Sequence, residues 1–279
     1  MRVAFLGPEG TFTEEALRAS APSGVAIEEV PYPSEYETVM AVQAGQVDRA
    51  VVPIENSLEG SVAATLDALA GEADRVRIAA EVVRPISHCL IARQGVAIDE
   101  VRSVVSHPQA LAQCAGFLRD RLGQAEPASA PSTADAVRTV ADSTEPWAAL
   151  GPRLAAELYG CAVLAEAVED RGDNLTRFVW LAREGDEPPG PPAKTSIVFW
   201  GFNDESPGAL VGVLGELADR AINLTKIESR PRRGQLGHYM FFADLEGGER
   251  SDAVAGALDG LRGRVETLKV LGSYPAWEA

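Results

Sequence analysis

Between Glu184 and Ala193 the chain reads Glu-Gly-Asp-Glu-Pro-Pro-Gly-Pro-Pro-Ala, with four prolines among the five residues 188–192. Proline lacks the backbone N–H and clashes with the preceding turn, so this run excludes a helix interior and a central strand. It favours an extended, stiff spacer. The 279 residues therefore divide into a large N-terminal part (1–184), a linker (185–194) and a small C-terminal part (195–279). We find no internal repeat and no other low-complexity run.

The large part alternates short apolar runs with amphipathic stretches, the pattern of an α/β domain. Candidate strands cover 2–6, 25–30, 50–54, 86–92, 101–106, 148–150, 163–168 and 178–182. In open α/β sheets ligands bind beyond the carboxyl ends of strands, so the turns after these runs are the places to look for chemistry. The small part reads strand (195–202), helix (208–221), strand (222–228), strand (239–245), a second amphipathic face (253–261) and strand (265–271), with a turn at 232–235. That order, βαββαβ, is a ferredoxin-like unit.

The composition, 46% apolar and 24% charged, is that of a globular protein. A formal net charge of −16 argues against a nucleic-acid partner. It also means that an anionic substrate must be held by local groups against the global field. No segment approaches the ~18 apolar residues a membrane span needs. The N-terminus reads as a first strand rather than a signal peptide. Cys89, Cys114 and Cys161 follow no metal or redox spacing and read as buried thiols, so the expectation is a cytoplasmic protein.

Several strand ends carry polar residues. Gly7-Pro8-Glu9-Gly10-Thr11-Phe12-Thr13-Glu14 combines a glycine turn with a capping box, opening a helix whose N-terminus suits an anion. A plain capped turn explains the same residues. Glu55, Asn56 and Ser57 end a buried strand and fit either a helix cap or a bound carboxylate. Ser106, His107 and Gln109 surround Pro108 at another helix start, where His107 is either a titrating group or a cap. Ser132 and Thr133 open a further helix, and Asn174-Leu175-Thr176-Arg177-Phe178 starts a last apolar strand. Arg177 offers a fork for a carboxylate, with a surface ion pair as the alternative. Together these turns describe a site for a small polyanion. Three histidines and scattered cysteines supply no metal ligand set, and Gly-x-Ser-x-Gly is absent.

Five segments in this order resemble the prephenate dehydratase family: Gly7-Pro8-Glu9-Gly10-Thr11-Phe12, Pro53-Ile54-Glu55-Asn56-Ser57, Ser106-His107-Pro108-Gln109, Ser132-Thr133 and Asn174-x-Thr176-Arg177-Phe178. Beyond the linker, Gly208-Ala209-Leu210-Val211 and Asn223-Leu224-Thr225-Lys226-Ile227-Glu228-Ser229-Arg230-Pro231 resemble the phenylalanine-binding form of the ACT domain. The resemblance implies a two-lobed α/β catalytic domain similar to type II periplasmic binding proteins, its second lobe covering roughly residues 78–160. It also implies a homodimer or homotetramer holding L-phenylalanine where two ACT domains meet. One departure is visible: the family tends to place a serine where this chain reads Ala148-Ala149-Leu150-Gly151-Pro152-Arg153.

The implied reaction converts prephenate to phenylpyruvate, water and carbon dioxide. Aromatisation drives it, so no cofactor or metal is expected. The resemblance assigns Thr176 as proton or hydrogen-bond donor to the leaving oxygen, Arg177 and backbone N–H groups to the carboxylates, and Phe12 and Phe178 to the walls. Thr11, Glu55, Asn56, Ser57, Ser106, His107, Gln109 and Thr133 complete the expected substrate site. Effector binding is expected at Gly208, Ala209, Leu210, Val211, Asn223, Leu224, Glu228, Ser229 and Arg230, although Glu228 and Arg230 also fit a structural pair across a turn. Arogenate dehydratase is the nearest competing reading and a non-catalytic binding protein the more distant one.

Overall fold

The computed structural model describes residues 1–185, 191–202, 206–232 and 237–277. Residues 186–190 of the proline-rich linker and 233–235 of the expected turn lie outside the described residues. The chain begins β1 (Arg2–Leu6), α1 (Phe12–Ser20), β2 (Glu28–Tyr32), α2 (Glu35–Gln43), β3 (Arg49–Asn56), β4 (Gly60–Ser61), α3 (Ala63–Ala70) and β5 (Val76–Pro85). It continues through β6 (Cys89–Ala92), β7 (Ser103–Ser106), α4 (Pro108–Gln113), α5 (Ala115–Leu122), β8 (Glu126–Ser129) and α6 (Thr133–Asp142). Then come β9 (Trp147–Gly151), α7 (Arg153–Leu158), β10 (Ala162–Ala165) and β11 (Leu175–Arg183). The C-terminal part is β12 (Lys194–Trp200), α8 (Ala209–Ala218), β13 (Leu224–Pro231), β14 (Tyr239–Glu246), α9 (Asp252–Arg262) and β15 (Thr267–Tyr274). Among the described residues, no helix is long and apolar enough to cross a membrane.

Two compact units result: residues 1–38, 51–65 and 82–178, and residues 39–50, 66–81 and 179–279. Two α/β sheets precede the linker. One is ordered β2-β1-β3-β11-β5, with β4 paired to β3. The other has the order β10-β6-β9-β7-β8, parallel across β9-β7-β8 and antiparallel where β6 joins β9 and β10 joins β6. Its central strands are buried on both faces. Ile91, Val105 and Ala149 meet α6 and α7 residues on one side, and Leu90, Val104 and Leu150 meet Cys114 and Leu122 on the other. Near-continuous apolar runs are what such doubly covered strands require.

Besides the two-residue β4, two strands escape the apolar-run criterion. In β5 the charged Arg77, Glu81 and Arg84 interrupt the run, and the burial pattern shows why they are tolerated. Arg77 pairs with Glu184 at 2.7 Å, and the nearly buried Glu81 takes Lys194 at 2.6 Å. The second strand, β8, is a mostly exposed edge that pairs with β7 through backbone register alone, so it needs little apolar content.

The second unit contains the antiparallel sheet β13-β14-β12-β15, and the order β12-α8-β13-β14-α9-β15 is ferredoxin-like as expected. Strand alternation puts Ile197, Phe199, Ala243 and Leu245 on the face covered by α8 and α9, where Phe199 and Phe241 stack at 5.6 Å. The opposite face meets segment 66–81. Arg230 pairs with Asp67 at 3.1 Å, and Lys269 pairs with Asp74 at 3.2 Å. Gly272 lies so close to β5 that a Cβ there would fall 2.7 Å from the Ile78 backbone nitrogen. Backbone cannot yield as a flexible side chain does. Gly272→Ala is therefore expected to lower stability by about 2–4 kcal/mol, read as a lower urea midpoint at unchanged slope. A midpoint equal to that of the unmodified protein would refute this close approach.

Candidate active site

A cavity of about 800 Å³ opens within the first unit, inside the range of small-molecule sites. Four helices begin at its wall, α2 at Glu35 among them. Thr11 caps α1 by accepting from Glu14 N at 3.3 Å, while the Glu14 carboxylate accepts from Gly10 N at 2.5 Å. His107 caps α4 through Nδ1, which accepts from Gln109 N, and Ser132 caps α6 by accepting from Asp135 N at 3.0 Å. Each helix end presents the positive pole of its backbone dipoles. Phe12, Gln109, Thr133, Thr176 and Phe178 also line the cavity, along with Pro53, Ile86 and Arg138.

One chain of side-chain amides organises the floor. Asn56 Oδ1 accepts from the backbone N–H of Leu58 (2.9 Å) and of Glu59 (3.0 Å). Only an oxygen can accept two N–H groups, so its Nδ2 must point the other way. Nδ2 then donates to Asn174 Oδ1 at 2.7 Å and to Thr176 Oγ1 at 2.8 Å. Asn174 passes the direction on, donating to Gln113 Oε1 at 3.3 Å. His88 Nε2 lies 3.2 Å from the same oxygen and is therefore the protonated nitrogen of a neutral ring. At the other end, Thr176 accepts from Asn56, which leaves its own hydrogen to donate.

The expected residues do not all meet. Alternation along β11 turns Thr176 and Phe178 to the cavity and Arg177 to the opposite side, where its guanidinium pairs with Glu55 at 3.0 Å. Glu55 alternates with Asn56 on β3 in the same way. Ser106 is fully buried and donates to Leu150 O at 2.7 Å. Ser57 accepts from Leu175 N and donates to Asp173 O, tying the start of β11. These four residues hold strands; the cavity wall does not include them. In the second unit, Gly208 caps α8 in a left-handed conformation (φ +84°), and Val211 is 73% exposed. Ala209, Leu210 and Leu224 pack on the helix-side core. Asn223 donates to Glu246 at 3.0 Å. Ser229 lies on that helix face, whereas Glu228 and Arg230 lie on the other, 3.6 Å apart along one strand rather than across a turn.

The prephenate dehydratase family profile matches residues 3–186, and the ACT domain profile matches residues 196–263. The chain belongs to the prephenate dehydratase family. A prephenate dehydratase of Mycobacterium tuberculosis (strain ATCC 25618 / H37Rv) is 40% identical over 287 residues, covering 100% of this chain and 88% of the relative. One from Mycolicibacterium gilvum is 41% identical over 291 residues, covering 99% and 91%. Among solved structures, a prephenate dehydratase in complex with L-Phe from Arthrobacter aurescens superposes with a TM-score of 0.89 at 38% identity, covering 98% of this chain and 90% of that one. GqqA, described as a novel type of quorum quenching acylase, superposes with a TM-score of 0.88 at 33% identity over 99% and 98%.

Within the stretch Ala148–Arg153, Pro152 is the N-cap of α7 and makes no side-chain cap. Glu15 on α1 compensates by accepting from Leu154 N at 3.3 Å. Three floor residues had no role assigned from the sequence, although one of them, Asn174, stands in a family-like segment. Gln113 follows Gln109 by one helical turn, a spacing that was available. Asn174 stands two residues before Thr176, just ahead of β11. His88 had no comparable signal, because it sits between strands and only the fold delivers it.

His88 is 3% exposed, packs edge-on against Phe12 at 5.3 Å, and its Nδ1 has no partner among the described residues. Burial pushes the ring below its ordinary value of 6.5, with Gln113 and the Glu169 charge opposing. The unfolded chain therefore takes up this proton at higher pH than the folded chain does. The stability contribution is complete above 6.5 and is lost as pH falls towards the folded value. Burial acts oppositely on Glu14 and Glu15, which are raised and favour the folded state at lower pH. Substituting His88→Asn is expected to flatten the drop in urea midpoint between about pH 6.5 and 5 relative to the unmodified protein. Parallel profiles for the two proteins would show that the ring does not titrate with folding.

Proposed function

We propose that this protein catalyses the decarboxylating dehydration of prephenate to phenylpyruvate, water and carbon dioxide in L-phenylalanine biosynthesis, under feedback by L-phenylalanine. The observation that carries the reading is the Thr176 hydroxyl, held as an acceptor by Asn56 so that its hydrogen is directed away from the floor. As the carbon–carbon bond to the ring carboxylate breaks, its electrons enter the ring and expel the hydroxyl opposite. Thr176 donates to that oxygen, which leaves as water, and solvent restores the threonine proton. A hydroxyl is a weak acid, so its main contribution is a preorganised hydrogen bond where negative charge develops.

The carboxylates are assigned to the N-terminal ends of α1 and α6 and to Arg138, which lines the cavity. Arg177 acts from behind the strand, through Glu55. Phe12 and Phe178 shape the ring's walls. Acyl transfer receives no support from this site: Thr11, Ser132 and Thr176 are bonded to Leu6 O, Asp135 and Asn56, not to a histidine base.

The catalytic domain is assigned to 1–184, the linker to 185–194 and the ACT domain to 195–279. The effector site is assigned to the start of α8 with Asn223, Leu224 and Ser229. Val211 (73% exposed) and Ile227 (48% exposed) are apolar groups beside it, suited to a second copy, and the working state is a homodimer or homotetramer in the cytoplasm.

Phenylpyruvate formation from prephenate near neutral pH tests the reaction. Thr176→Ala and Asn56→Ala are each expected to lower kcat by about 10²-fold or more with unchanged circular dichroism. Near-full turnover in Thr176→Ala would remove the donor role. Turnover of arogenate but not prephenate would move the substrate, and turnover of neither would leave a binding protein. A separate expectation is that Val211→Glu shifts the sedimentation coefficient towards that of a monomer and blunts inhibition by L-phenylalanine. An unaltered assembly with unaltered inhibition would place the interface elsewhere.

A further inference from the structure

A second cavity, of about 440 Å³, lies within the second unit and takes no part in the chemistry above. One wall is the end of α3, where the small residues Ala70 and Gly71 leave space. The other is the face of the C-terminal sheet turned away from α8 and α9, with Trp200 and Met240 side by side in register. Trp200 is half-buried and Met240 and Ala70 are nearly buried, so the cavity they line is apolar and suits an apolar occupant.

The charges around it are unevenly committed. Asp67 holds Arg230 at 3.1 Å, and Lys269 donates to Asp74 and to Ala73 O, each at 3.2 Å. Both carboxylates are thus neutralised. Arg232 differs: its guanidinium carbon sits 5.5 Å over the Trp200 ring, and it makes no ion pair with a described residue. The Trp200 ring meets the guanidinium as a cation–π partner and takes none of its N–H groups as a hydrogen-bond acceptor would, so they remain suited to gripping a carboxylate bidentately.

We propose that this cavity is a second ligand site, specific for a small apolar carboxylate of the size of an aromatic acid. The carboxylate forks onto the edge of Arg232, and the apolar body lies between Trp200, Met240 and Ala70. Because Asp67 and Asp74 are already paired, the site makes no demand for an ammonium group. It therefore differs in chemistry, as well as in sheet face, from the amino-acid site assigned at the start of α8. The inference does not rest on the reaction assigned above.

The test is calorimetric titration of the full chain with 3-phenylpropionate, which carries the carboxylate and ring but no amine. Saturable binding is expected for the unmodified protein. It should weaken by at least about tenfold in Arg232→Gln and in Trp200→Leu. Circular dichroism and the affinity for L-phenylalanine should stay unchanged in Arg232→Gln. Absence of saturable binding would overturn the proposal. Equal affinity in Arg232→Gln would place the ligand elsewhere, including the first cavity, and would overturn it too. Parallel loss of L-phenylalanine affinity in that variant would mean a single shared site and would also refute it.

Discussion

Two backbone N–H groups, those of Leu58 and Glu59, converge on one oxygen of Asn56, and the polarity of the whole floor follows from that contact. An asparagine whose oxygen is taken has no freedom to flip. Its nitrogen then dictates the orientation of Asn174, which dictates that of Gln113, which selects the protonated nitrogen of His88. Each link contributes only about 1 kcal/mol net to stability, so the chain matters less as a source of energy than as a source of direction. The product of that direction is a threonine hydroxyl whose hydrogen has a defined heading. Aspartate at position 56 would offer no donor, and the chain would lose its polarity at the first link.

A protein of net charge −16 that accepts a dianion has to create its attraction locally. Two arginines are relevant, and they behave differently. Arg177 is only 11% exposed and spends its charge on Glu55, as a nearly buried guanidinium must. Arg138 reaches the cavity but carries Asp135 as a partner. Much of the attraction therefore falls to helix ends, whose N–H groups are set in place by folding, with Glu14, Glu15 and Asp135 in those first turns opposing part of it. Conversion of His88 to a cation would add charge to the same region, but burial opposes it.

Much of this arrangement was legible in the sequence, because capped turns after apolar strands are local events. Thr11, His107 and Ser132 cap the helices that the spacing anticipated, and the βαββαβ order of the C-terminal part stands as read. What stayed hidden depends on long-range partners. The charges of β5 look unfit for a largely buried strand until Glu184 and Lys194 are brought beside them. Ser106 looks like a ligand group until the Leu150 carbonyl, 44 residues away, claims its hydroxyl. Pro152 leaves α7 without a side-chain cap of its own until Glu15 supplies one from a different helix.

The strand period explains the remaining difference between motif and site. Thr176-Arg177-Phe178 and Glu228-Ser229-Arg230 are contiguous in sequence, yet each lies on a strand whose neighbours point to opposite faces. In the first, positions 176 and 178 face the cavity while 177 anchors to Glu55. In the second, Ser229 shares a face with α8, while Glu228 and Arg230 form an ion ladder with Lys226 and Asp67. A strand that presents ligand-binding groups on one face must still be held in place by the other. Where that other face is nearly buried, as at Arg177, an unmatched charge would cost several kcal/mol. Binding and anchoring residues therefore alternate along the strand, and a motif recognised as one word contains both.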